Sequence, residues 1–156
     1  MARPGNWLEI LAPAKVNLTL HVVARRPDGY HELESVMQKL ELADRLSLRL
    51  SDQPGIRLTC PGSDLPEGES NLAFCAARSF LQAWGEGQNP GLEIVLEKRI
   101  PVAAGLGGGS SDAGAVFTGL NRLLAAGFSE EALIDLARPL GADVPFFVSA
   151  QVAVLA

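Results

Sequence analysis

The sequence predicts one domain that mixes β-strands with α-helices, and three observations lead there. Apolar residues recur at Val16, Leu18, Leu20 and Val22, and again at Leu46, Leu48 and Leu50, the period of half-buried strands. Ala113, Val116, Phe117, Leu120, Leu123 and Leu124 fall on one face of a helix, with Gly127 as its stop signal. Between a strand and that helix runs Pro101-Val-Ala-Ala-Gly-Leu-Gly-Gly-Gly-Ser-Ser-Asp-Ala-Gly114, with four glycines within five residues. A chain of 156 residues suits a single domain with a sizeable core.

In chain order, Trp7 to Leu11 predicts a short strand that Pro13 interrupts. A second strand starts at Lys15, with Val16, Leu18, Leu20 and Val22 on its buried face and Lys15, Asn17, Thr19 and His21 on its polar face. Lys15 and Asn17 are therefore neighbours, either as an ordinary solvated pair or as site residues. Pro27-Asp28-Gly29 is turn chemistry, followed by Tyr30 and His31. An aromatic ring and an imidazole on a turn can stack on and hydrogen-bond a flat ring, or can simply complete a capped turn. A strand lies within Val36 to Leu42, and a new alternation begins at Asp44. Ile56, Leu58 and Cys60 continue it after the turn Asp52-Gln-Pro-Gly55, which predicts a hairpin. Ser70 caps a helix over 71–84, with Leu72, Cys75, Ala76, Ser79, Phe80 and Ala83 on its packed face. Leu92, Ile94 and Leu96 form the strand that feeds the glycine-rich stretch, ending at Lys98 and Arg99. Ser129 caps a helix running to about Arg138, and Pro139 ends or kinks it. Asp143 sits in a turn before an apolar strand, Phe146-Phe-Val148, and a further strand begins within 151–155.

The glycine-rich stretch carries the chemistry. Glycine permits positive φ and close backbone approach, so several N–H groups can converge on one point. The start of a helix adds unpaired N–H groups and partial positive charge. Together they make a phosphate cradle, although a glycine run can also be no more than a tight connection. A Walker loop needs Lys after its last glycine, where this chain has Ser110. The dinucleotide pattern from Gly105 and the protein-kinase loop both need glycine at that same position.

Composition narrows the classes. Net charge is −5 with no basic run, which argues against nucleic acid or an anionic membrane as partner. A phosphate site must then be locally basic or use a divalent cation. Cys60 and Cys75 lack metal-ligand spacing and read as reduced thiols. No signal peptide or membrane span is visible, which makes the cytoplasm the expected location.

The residues that remain, Pro101 through Ser111, resemble the signature of the GHMP kinase superfamily, small-molecule kinases whose glycine-rich loop wraps the phosphates of ATP. Three further motifs, Pro13-Ala-Lys-Val-Asn-Leu18, Asp28-Gly-Tyr-His31 and Gly141-Ala-Asp-Val-Pro-Phe-Phe147, narrow the resemblance to its 4-diphosphocytidyl-2-C-methyl-D-erythritol kinase family. The resemblance implies an α+β fold, a mixed sheet with helices on one face and a left-handed βαβ unit around the phosphate loop. It implies ATP as co-substrate, Mg²⁺ carried with it, and 4-diphosphocytidyl-2-C-methyl-D-erythritol as the small-molecule substrate. By the same resemblance Asp143 is the base and Lys15 the cation beside it, while Asn17, Tyr30 and His31 face the substrate. Pro101, Gly105, Leu106, Gly107, Gly108, Gly109, Ser110 and Ser111 form the ATP cradle, Asn71 and Lys98 lie on the adenine side, and Ser111 is a candidate for the metal.

Chains of that family continue beyond position 156 into a second domain that completes the substrate wall. The expectation for residues 1–156 is an N-terminal ATP-binding and catalytic domain that by itself binds ATP poorly and turns over negligibly. Its bare surface is expected around Phe146, Phe147 and 152–155. The competing readings are a nucleotide-binding module without turnover and a structural relic that keeps its glycine-rich turn for folding.

Overall fold

The computed structural model describes residues 6–25, 27, 31–85, 90–151 and 153–155; residues 20, 22–25, 31–34 and 153–155 enter through their backbone alone. The strands are β1 (Leu8–Arg25), β2 (His31–Ser51), β3 (Ile56–Thr59), β4 (Gly91–Glu97) and β5 (Ala153–Leu155). The helices are α1 (Leu72–Trp84), α2 (Gly108–Leu123), α3 (Glu130–Ala137) and α4 (Val144–Val148), with a 3₁₀ turn at Arg138–Leu140. The sheet is mixed, in the order β1-β2-β4-β3, with β5 added to β2. Helices α1 and α2 pack on the face that carries Leu46, Leu48, Leu92, Ile94 and Leu96. The α+β expectation therefore holds. Among the described residues no helix is long and apolar enough to cross a membrane.

Several element boundaries differ from the sequence reading. Pro13 does not end the first strand. β1 runs through it with a register shift between Pro13 and Lys15, which an edge strand tolerates because a missing N–H there breaks no central ladder. Two residues of that segment depart from their expected faces, Lys15 being buried and Leu18 61% exposed, while Asn17, Thr19 and His21 are exposed as expected. β2 is likewise one continuous strand rather than two.

The hairpin expected between β2 and β3 does not form. β4 lies between them, antiparallel to β2 and parallel to β3, with Leu50 opposite Leu92 and Ile56 opposite Leu92. Glu93 spans the three strands on the outer face, pairing with Arg49 on one side and Arg57 on the other. A period-two pattern fixes which face of β3 is buried; it does not fix which strand lies beside it.

Asn71, not Ser70, caps α1: its Oδ1 accepts from the Ala73 amide at 2.9 Å. The packed stripe of α1 is Ala73, Ala76, Ala77, Phe80 and Leu81, rotated from the expected one, and Ala83 is exposed. α2 starts inside the glycine run, four residues before Asp112, and every expected core residue on it is buried. Phe80 and Phe117 are fully enclosed, and truncating either to alanine should cost about 3–5 kcal/mol. Ser129 caps α3 as expected, through the Ala132 amide.

The segment expected as strand Phe146–Val148 is the helix α4, with Pro145 in its first turn, where a missing N–H costs nothing. Phe146 and Phe147 are buried against Met37, so they are not the bare patch; the side chains of 152–155 lie outside the described residues. Large apolar residues are exposed instead at Leu11, Leu18 and Val102, each about three-fifths exposed. Both cysteines are free thiols, Cys60 buried and Cys75 half-buried.

Candidate active site

The glycine-rich loop follows β4 and docks on the open edge of β1. The backbone N–H of Lys15 donates to the carbonyl of Leu106 at 2.9 Å. The loop turns into α2 through Gly107, which has φ +71°. A Cβ at Gly107 would come within 3.0 Å of Lys15 Cγ and of Phe147 Cζ, so glycine is required there by both backbone and space. The amide of Ser111 bonds back to Gly107, so the N–H groups of Gly108, Gly109 and Ser110 open the helix without intrahelical acceptors. They face a cavity of about 350 Å³. Pro101, Gly105, Leu106, Gly107, Gly108, Gly109 and Ser110 all line it, opposite an apolar wall of Leu65, Pro66 and Leu72. The sequence reading did not include that wall.

The Lys15 side chain passes beside the loop, its Cγ next to Gly107. Its Nζ lies 3.3 Å from Oδ2 of Asp143 and 3.2 Å from Oδ1 of Asn17. Lys15 is almost fully enclosed, whereas Asp143 stays about two-fifths exposed and Asn17 is exposed. A buried cation thus presents a solvent-reachable carboxylate beside the phosphate loop, with Asn17 holding the ammonium from the other side. Tyr30 lies outside the described residues, and His31 opens β2 with only its backbone described.

Lys98 and Asn71 line the cavity, but their polar atoms are already engaged. Asn71 uses its oxygen as the helix cap and donates from its amide nitrogen to the Pro66 carbonyl. Lys98 Nζ sits between Oδ2 of Asp44 and Oδ2 of Asp112. Asp44 is fully buried, and its Oδ1 also accepts from the amides of Arg99 and Ile100. One carboxylate of β2 therefore holds the chain where it leaves β4 for the loop, and the lysine between two carboxylates ties that point to α2. Burial pushes the Asp112 carboxyl up to about 7, with Lys98 pulling it down and Asp44 pushing it up. Burial works to lower the Lys98 ammonium, but the attraction and hydrogen bonds of Asp112 and Asp44 outweigh it and raise it. Sequence reasoning missed Asp44, yet a signal existed: it shares a strand face with Leu46 and Leu48, an acid on an apolar stripe.

Mg²⁺ commonly keeps several waters and is held by one or two protein oxygens together with substrate phosphates. Ser111 Oγ, the expected candidate, is buried in the first turn of α2 and lacks a hydrogen-bond partner, as does Asp112 Oδ1, but of the two residues Asp112 lines the cavity and Ser111 does not. Among the described residues no group of three His, Cys, Asp or Glu side chains could hold a metal by itself.

Residues 71–151 match the GHMP kinases N terminal domain. The chain is 54% identical over 156 residues to the 4-diphosphocytidyl-2-C-methyl-D-erythritol kinase of Desulfotalea psychrophila, covering 100% of this chain and 52% of that protein. It is 55% identical over 136 residues to the kinase of the same name from Pelotomaculum thermopropionicum, covering 87% of this chain and 47% of that one. A crystal structure of 4-(cytidine 5'-diphospho)-2C-methyl-D-erythritol kinase superposes with a TM-score of 0.80 at 47% identity, over 96% of this chain and 51% of that one. The chain spans about half the length of the curated relatives it matches. With the lysine–aspartate pair adjoining the loop and helix start through Lys15, and a matching family profile over half its length, the chain belongs to the GHMP kinases.

Proposed function

We propose that this chain is the ATP-binding and catalytic half of a kinase that phosphorylates the 2-hydroxyl of 4-diphosphocytidyl-2-C-methyl-D-erythritol, a step of non-mevalonate isoprenoid synthesis in the cytoplasm. The observation that carries it is Lys15, whose amide holds the phosphate loop and whose ammonium holds Asp143. Such a residue fixes the distance between donor phosphate and base, and phosphoryl transfer depends mainly on alignment and charge neutralisation.

In this reading the triphosphate lies on the amides of Gly108 to Ser110, and adenine lies against Leu65, Pro66 and Leu72. Asp143 accepts the proton of the acceptor hydroxyl as that oxygen forms its bond to the γ-phosphorus. The bond from the γ-phosphorus to the bridging oxygen breaks, and ADP leaves with that oxygen. Lys15 offsets the negative charge at the transferring group. Magnesium, bound with the nucleotide, would neutralise phosphate charge, and Ser111 Oγ and Asp112 Oδ1 are the two buried oxygens there without a hydrogen-bond partner. Tyr30 and His31 take the cytosine side, Tyr30 by stacking and His31 by hydrogen bonding.

Residues 1–156 joined to the remaining half of the Desulfotalea psychrophila relative, given ATP, magnesium and the cytidine diphosphate substrate, should release ADP only when that substrate is present. Residues 1–156 alone should release almost none. Tyr30→Ala in the joined protein should weaken the cytidine substrate by roughly 1–3 kcal/mol, the range for a base stacked on an aromatic ring, and leave ATP unaffected. An equal loss for ATP would move Tyr30 to the nucleotide side. ADP release indifferent to the cytidine compound would overturn the substrate.

A further inference from the structure

Lys15 and Lys39 face each other in register across β1 and β2. Like charges placed directly opposite in an antiparallel pair repel. This pair is tolerated because each ammonium has its own acceptor, and the two acceptors bracket α4. Lys15 reaches Asp143, the residue before the helix; Lys39 donates to the carbonyl of Ser149, the residue after it. Five helical residues separate these anchor points, about 7.5 Å of rise.

The rest of α4 is held in the same way. The Lys39 ammonium lies 5.0 Å from the centre of the Phe146 ring. Burial draws that ammonium below its usual range, and Glu130 draws it back up. Glu130, in the first turn of α3, accepts from the Ser149 hydroxyl and the Ala150 amide. On the opposite side Phe147 rests on Gly107 and on Gly114, where a Cβ would come within 2.6 Å of its Cβ. α4 therefore touches the phosphate loop and carries the carboxylate at the same time. It has no capping side chain of its own, so its placement depends on these outside contacts.

We infer that Lys39, with Glu130 behind it, is a positioning residue that sets Asp143 against the phosphate loop by fixing the far end of α4. The inference rests on the reading of Asp143 as the base. It assigns Lys39 no contact with substrate or nucleotide. Its action passes along a five-residue helix too short to hold its own orientation.

The test uses this chain and needs no turnover, so it can fail while the kinase reading stands. The ¹³Cγ resonance of Asp143 and the exchange rates of the Val144 and Ser149 amides are followed by NMR. Lys39→Met keeps the stem on Phe146 and removes the donor. It should displace the Asp143 resonance toward that of Lys15→Met and speed exchange at Ser149 roughly 10- to 100-fold, the worth of one charge-assisted hydrogen bond. Lys39→Arg should restore both. Amides within α2 should exchange as before, which separates a local loss of placement from global unfolding. If Lys39→Met unfolds the chain, Glu130→Gln supplies the milder version of the same test. An unmoved Asp143 resonance in a folded variant, or a displaced one that arginine does not rescue, overturns the inference. If Lys15→Met itself leaves the Asp143 resonance in place, the lysine–aspartate pair fails first, and the kinase reading with it.

Discussion

The amide of Lys15 donates to the carbonyl of Leu106, so the strand that carries the Lys15–Asp143 ion pair also anchors the glycine-rich loop. Backbone and side chain of one residue thus serve different halves of the site, and substitution separates them. Lys15→Met keeps the amide. In an active enzyme carrying this domain, ATP affinity should hold while turnover falls about 10²–10³, the usual effect of losing a preorganised charge. Asp143→Asn should lower turnover by roughly 10²–10⁴. The double variant should be little worse than either single one, because paired groups act as a unit. Nucleotide titration beside single-turnover rates checks this. A loss of ATP affinity as large as the loss of rate would place Lys15 on the nucleotide.

The two left-handed glycines of the loop should respond differently. At Gly105, φ is +74° and nothing lies within 4 Å of an added Cβ. Gly105→Ala should therefore cost only backbone strain, about 1–2 kcal/mol. Gly107→Val meets the same strain and also drives a branched side chain into Lys15 and Phe147. It should add about 1–3 kcal/mol of overpacking and abolish protection of the chain by ATP against heat or protease. Equal unfolding midpoints for the two variants would contradict the packing described around Gly107.

The raised Asp112 carboxyl predicts how stability depends on pH. Its ordinary value is 3.8 and its folded value about 7, so in that window the folded chain holds a proton that the unfolded chain releases. Stability should fall as pH rises from about 4 to about 7 and then level, each pK unit being worth about 1.4 kcal/mol. Asp112→Asn cannot ionise and should remove this component. Urea midpoints across that range, in the nucleotide-free chain, measure it. A wild-type stability that rises steadily through the window would show that Lys98 keeps Asp112 ionised.

What the sequence revealed and what it hid divide along physical lines. The loop, its helix and the Lys15–Asn17 adjacency were legible because each is local. Glycine at positive φ, a period of 3.6 and a period of two are all written in neighbouring residues. The burial of Lys15 was hidden because the register shift between Pro13 and Lys15 interrupts the alternation at that residue while Asn17, Thr19 and His21 stay exposed, and a bulge leaves no mark in an alternation. Phe146–Val148 was read as strand because a short apolar run does not distinguish strand from buried helix, although Pro145 just after Asp143 was a helix-start signal. Asp44 and Lys39 were hidden for another reason. Their partners, at 98–100 and at 149, lie far along the chain, and only the assembled sheet brings them together.

The placement of β4 between two strands made before it sets an order on biosynthesis. When residues 1–60 have left the ribosome, β2 and β3 exist but cannot use each other, since the slot between them belongs to a strand not yet made. The C-terminal half of β2 then presents a bare edge with Leu46, Leu48 and Leu50 along it, the kind of edge that recruits another chain. Closure waits for Gly91–Glu97, and the segment that closes the sheet leads directly into the phosphate loop. A nascent chain therefore completes its sheet and acquires its glycine-rich loop in nearly the same stretch of translation.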